Sequence, residues 1–167
     1  LMRQQLMAAG VQMPEQTNMR EIVAADVANS LKLFGTMLGS SPVTAFTVSE
    51  IPFGEGVSFP GLIHLSWATF QETSLDGFDA FFRAHEVAHQ WWGNGVRPAT
   101  YRDAWLSEGM ATFFGLWYLR AKMNRDNEYN RFLDKYRTDI GINQDAGATW
   151  LGWRLSSVER PYGYDAI

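Results

Sequence analysis

Two of the three histidines in this 167-residue chain stand four positions apart with a glutamate beside the first, in His85-Glu86-Val87-Ala88-His89. A helix turns once in about 3.6 residues, so positions i and i+4 share a face. Both imidazoles can then reach one tetrahedral cation, each offering a nitrogen at about 2.0–2.1 Å. Glu86 lies about 100° around such a helix from His85. That angle keeps it out of the same coordination shell. It lets the carboxylate touch a water at the ion's open position, where a general base belongs. Two imidazoles buried without partners would each cost roughly 1–3 kcal/mol in unmet hydrogen bonding, and a shared ion removes that cost.

A catalytic zinc commonly takes two His, one Glu and a water. The candidate for the third ligand is Glu108, in Trp105-Leu106-Ser107-Glu108-Gly109-Met110-Ala111. An exposed helix position is the commoner fate of a glutamate. The apolar neighbours predict instead that Glu108 faces inward, and a helical hairpin turning through 93–101 would set it opposite His89. A divalent cation compensates a carboxylate buried in that way. The expected centre is one Zn2+ held by His85, His89 and Glu108, with Glu86 as base, the HExxH arrangement of zinc proteases.

The elements that must position these groups follow from apolar spacing. Ile22, Val23, Val27, Leu31, Phe34 and Leu38 recur at three- and four-residue steps, which predicts a helix from Met19 to about Leu38, stopped by Gly39-Ser40-Ser41-Pro42. Val43 to Val48 reads as a strand, Pro52 to Gly61 as a loop and Leu62 to Ser66 as a second strand. The loop at 54–60 is expected beside the cleft, its glycines allowing close backbone approach. Asp76 caps a helix that runs through the HExxH residues to Trp92 and stops at Gly93. Thr100 and Asp103 form a capping box ahead of a helix from about Arg102 to Met123, and a third helix covers Asp126 to about Ile140. Residues 1–18 read as a loop or short helix. The tail with Trp150, Trp153 and Arg160-Pro161 yields no assignment. Strands first and helices later predict an α+β domain.

Composition narrows the function classes. The chain is 46% hydrophobic, enough for a core, and has a formal net charge of −4, with no basic stripe to release counterions from nucleic acid. Cysteine is absent, which excludes disulfides, zinc ribbons, iron–sulfur clusters and thiol nucleophiles. No apolar run approaches the roughly 18 residues of a membrane span, and the first residues show no continuous apolar leader. The chain opens on Leu1 and stops at Ile167 in an apolar rise, so it is expected to be a piece of a longer polypeptide.

The segment HEVAHQWWGN from His85 to Asn94, followed by Glu108 in WLSEGMAT with eighteen residues between it and His89, resembles the gluzincin zinc peptidases. Within them it is most similar to the aminopeptidase N family, over roughly residues 31–167. The resemblance implies a thermolysin-like catalytic domain, with short β-strands before a helical zinc-binding half, and a peptide or protein as substrate. It implies His85, His89 and Glu108 as zinc ligands and Glu86 as catalytic base. It also implies that 1–167 is part of that domain, without the β-rich domain before it and the helical domain after it. Two features depart from the family pattern. The family's GAMEN segment, whose Glu holds the substrate's amino group, precedes a Gly-Leu-Ile strand; here Gly61-Leu62-Ile63 follows Gly54-Glu55-Gly56-Val57-Ser58-Phe59-Pro60, and Ser58 stands at the Glu position. Glu55 would need a different loop path to serve. The family's oxyanion-stabilising Tyr is expected past Ile167, leaving Tyr162 and Tyr164 as packing residues.

Other residues have simpler explanations. His64 reads as a strand-edge histidine, Trp91 and Trp92 as core against the Glu108 helix, and Asp103 as a cap rather than a partner of the metal site. The competing reading of the whole is a degenerate peptidase-like zinc scaffold for protein recognition. The intact Glu86 argues against it, because a purely structural site needs no base.

Overall fold

The computed structural model describes residues 19–52, 56–71 and 76–142. The predictions for residues 1–18, Glu55, Trp150, Trp153, Arg160-Pro161, Tyr162 and Tyr164 lie outside these residues. The architecture is α+β: four α-helices and a three-stranded mixed sheet among the described residues.

Helix α1 spans Arg20–Leu38 and ends at Gly39, whose φ of 87° suits glycine. Its buried face is Val23, Asp26, Val27, Ser30 and Phe34. Ile22 was predicted on that face but is exposed; the polar Asp26 and Ser30 take buried positions that periodicity in apolar residues cannot show.

Strand β1 spans Thr47–Ile51, four residues later than the stretch predicted from β-branched content. Its limits come from its partner: β1 pairs parallel to β3, Leu62–Ser66, from Thr47 opposite Leu62 to Ile51 opposite Ser66. Strand β2, Val57–Phe59, lies inside the segment predicted as loop. It pairs antiparallel to β3 through a two-residue turn, with Pro60 first and Gly61 second at φ 75°, the residue choice of a type II turn. The sheet order β1-β3-β2 makes β3 central, and its Ile63 and Leu65 are fully buried.

Helix α2 spans Phe78–Ala88, α3 spans Ala104–Ala121 and α4 spans Asp126–Ile142. Phe34 of α1 meets Trp91 edge-on at 6.1 Å and Phe114 of α3 at 5.4 Å, and Trp92 stacks on Phe114 at 6.0 Å. Trp91 therefore packs on α1, with its indole N–H donating to the Gly39 carbonyl at 3.2 Å, and Trp92 packs on α3.

A buried polar knot ties the three helices. Arg83 Nη1 donates to Asp26 Oδ2 at 2.8 Å, Tyr118 donates its hydroxyl to Asp26 Oδ1 at 2.9 Å, and Arg83 Nη2 donates to the Thr69 carbonyl at 2.6 Å. A buried ion pair recovers its desolvation cost only with such extra hydrogen bonds. The knot fixes α2 two residues before His85.

Candidate metal centre

Helix α2 starts where the Asp76 carboxylate accepts the Phe78 N–H at 3.0 Å. It was predicted to reach Trp92, yet its regular part ends at Ala88. His89 still donates its N–H to the His85 carbonyl at 3.3 Å, so the i, i+4 spacing of the two imidazoles is kept. The Gln90 and Trp91 amides then bond three residues back, and Gly93 at φ 106° turns the chain away. The tightened last turn shortens the helix without moving His89 off its face.

The return is set by the predicted capping box. Thr100 N–H donates to Asp103 Oδ2 at 3.0 Å, and Arg102 N–H donates to Thr100 Oγ1 at 3.2 Å. Asp103 is thus a cap. A short 3₁₀ turn at Tyr101–Asp103 leads into α3.

Helices α2 and α3 are close at Gly115, where a Cβ would come within 3.0 Å of the Phe81 ring and carbonyl. From that contact the two helices carry matched residues toward the site. Phe81, His85 and His89 follow at four-residue steps on α2. Gly115, Thr112 and Glu108 follow at steps of three and four on α3. His85 Nε2 and His89 Nε2 are 3.1 Å apart, and each is 3.5 Å from Glu108 Oε2. A tetrahedral ion with bonds of about 2.0–2.1 Å has ligand-to-ligand edges of about 3.3–3.4 Å. Two nitrogens and one carboxylate oxygen at this spacing form one face of such a tetrahedron, and the group could hold a metal ion.

The other ring nitrogens point outward. His89 Nδ1 lies 2.9 Å from the Trp92 carbonyl, and His85 Nδ1 lies 3.3 Å from Thr112 Oγ1. The imidazole side chains are 15% and 13% exposed, whereas that of Glu108 is 39% exposed. Glu108 thus faces the His pair as its apolar neighbours predict, half-buried rather than fully enclosed.

The charges suit a cation. Burial holds His85 below its ordinary value, against the opposing pull of Glu108. Burial also acts to lower His89, but the hydrogen bond and charge of Glu108, with the charge of Glu86, leave it raised. Burial works to raise Glu108, and the two imidazoles override it and hold the carboxyl well below the usual carboxylate range. Glu108 is thus an anion in a site of two nitrogen donors.

Glu86 is 5% exposed and is pushed up to about 7, first by burial, with His89 lowering it and Glu108 raising it. Its carboxylate lies against the backbone of Gly56, where a Cβ would overlap it. Gly56 thus brings backbone directly against the Glu86 carboxylate. Ser58 is held away from any charged role: Gln90 Nε2 donates to Ser58 Oγ at 2.7 Å and to the Phe59 carbonyl at 3.1 Å, and Gly61 N–H donates to Gln90 Oε1 at 2.9 Å. His64 bonds Ser49 across β1 and β3, outside the metal group. Sequence reasoning did not single out Thr112 or Gln90. The available signal for Thr112 was its place four residues after Glu108.

Residues 80–149 match the family model described as the peptidase family M1 domain. Across these residues the chain is similar to peptidase family M1. Relatives named as aminopeptidases match in short stretches. Aminopeptidase RNPEPL1 of Mus musculus is 62% identical over 29 residues, covering 17% of this chain and 4% of the relative. Aminopeptidase M1-B of Oryza sativa subsp. japonica is 38% identical over 63 residues, 38% of this chain and 7% of the relative. Aminopeptidase O of Rattus norvegicus is 31% identical over 97 residues, 56% of this chain and 11% of the relative. The matches thus span at most about a tenth of these relatives' length.

Proposed function

We propose that the chain is the zinc-binding part of a thermolysin-like peptidase domain that hydrolyses peptide bonds, with aminopeptidase-like action. One observation carries the reading: the near-regular triangle of His85 Nε2, His89 Nε2 and Glu108 Oε2 beside a buried, backbone-packed Glu86. The names of these relatives support the peptidase class, and the antiparallel ligand helices beside a mixed sheet support the thermolysin-like arrangement.

His85, His89 and Glu108 would hold one zinc ion, which supplies Lewis-acid polarisation of a carbonyl and a lowered pKa for water. Glu86 accepts the proton of the attacking water as its oxygen bonds to the scissile carbonyl carbon. When the C–N bond breaks, Glu86 returns that proton to the leaving amine. A carboxyl group can do both tasks in turn, taking the proton as carboxylate and giving it back as acid. The backbone at Gly56 limits where the Glu86 carboxylate can swing.

Zinc analysis and a panel of free and N-blocked peptides, applied to the full-length protein that contains this chain and to its Glu86→Gln variant, test the reading. The variant should keep its zinc and lose on the order of 10²–10⁴ in turnover. Unchanged turnover would remove Glu86 from the reaction. A zinc-bound protein without turnover in either form would favour the protein-recognition scaffold. A preference for free N-termini would support aminopeptidase action despite Ser58.

A further inference from the structure

We propose that Thr112 is a positioning residue for His85, accepting the Nδ1–H and so presenting Nε2 to the metal. The proposal rests on the metal-site reading above. Both Nε2 atoms converge on Glu108 Oε2, and a neutral imidazole that binds a metal ion there through Nε2 carries its proton on Nδ1. For His89 that proton is taken by the Trp92 carbonyl at 2.9 Å, a partner supplied by its own turn. His85 lies in the last turn of α2, and its Nδ1 partner comes from another element. Its Nδ1 meets Thr112 Oγ1 at 3.3 Å, from the facing helix.

Thr112 suits the task for three reasons. It follows Glu108 by four residues on α3, so ligand and acceptor share one face and move together. As a β-branched residue it has few side-chain rotamers in a helix, which confines Oγ1. Its hydroxyl is uncharged, so it fixes the tautomer without adding a second anion beside Glu108. The close packing of Gly115 on Phe81, three residues further along α3, holds the two helices near enough for the contact.

Orienting partners of metal-bound histidines commonly change metal affinity by about 10- to 100-fold. Thr112→Val keeps the shape and removes the acceptor, and Thr112→Ser keeps the acceptor. Zinc affinity by chelator competition should fall about 10- to 100-fold in the Val variant and return to within about threefold of wild type in the Ser variant. Chelator-treated protein should melt alike in all three. Equal affinity in the Val variant, or a Ser variant as weak as Val, would overturn the role. A second readout needs no variant: nitrogen-15 imidazole spectra of the zinc-loaded wild type should show His85 protonated on Nδ1. Protonation on Nε2 would overturn it. A wild type that binds no zinc overturns this inference and the metal reading together, whereas zinc binding that ignores Thr112 overturns this inference alone.

Discussion

Glu86 and Gly56 illustrate how a single missing methyl shapes the site. The Glu86 carboxylate occupies the volume that a Cβ at residue 56 would need. Gly56→Ala must displace one or the other, and the backbone is the stiffer of the two. We expect Gly56→Ala to keep zinc, because no ligand moves, and to lower turnover on the order of 10²-fold through misplacement of the base. Steady-state kinetics beside a zinc assay separates the outcomes; loss of zinc together with turnover would show that the glycine supports the ligands instead.

Gly115 plays the comparable part at the level of elements, between α2 and α3. Alanine there would gain up to about 1 kcal/mol in helix propensity. It would also put a methyl within 3.0 Å of the Phe81 ring and carbonyl, and overpacking of that kind costs about 1–3 kcal/mol. The clash outweighs the gain, so we expect Gly115→Ala to lower urea-unfolding stability and to weaken zinc binding by parting the helices. A stabilised variant would show that the helices can separate freely. The same helices show what was readable in advance. The helix identities, the capping box and the His85–His89 spacing are local, and local chemistry dictates them. The limits of β1 and the existence of β2 depend on the partner strand, so propensity placed the first four residues early and missed the second. Glu108 was found because a carboxylate was the missing ligand type, but how far it is enclosed depends on how α3 is rotated, as does the meeting of Thr112 with His85. Inter-helix rotation has no signature in a single sequence.

At the scale of the molecule, stability is tied to two polar centres. Zinc binds the folded arrangement, so at a free concentration near 100 times its Kd it should add about 2.7 kcal/mol. That raises the melting temperature by roughly 5–10 °C for a chain of this size, and a chelator should reverse the gain. Scanning calorimetry showing no shift would count against a formed site. The second centre is the knot of Asp26, Arg83 and Tyr118. Burial, then the Asp26 charge, raises the Tyr118 hydroxyl above its ordinary value of 10.0. The folded state then holds a proton that the unfolded state releases. Its contribution is complete below about pH 10 and is lost as pH rises beyond that. Denaturant titrations from pH 9 to 11 should show the wild type losing more stability than Tyr118→Phe; parallel curves would place the alkaline loss elsewhere.

The side-chain amide of Gln90 has a comparable hold on the β2–β3 hairpin. Each end of that amide is already engaged by the hairpin, one giving and one receiving, so it cannot be turned end for end, and an acid in its place would set oxygen against oxygen. The neighbouring residue is a proposed ligand. The hairpin of β2 and β3 and the chain that bears the imidazoles are thereby riveted into one frame, set before anything binds.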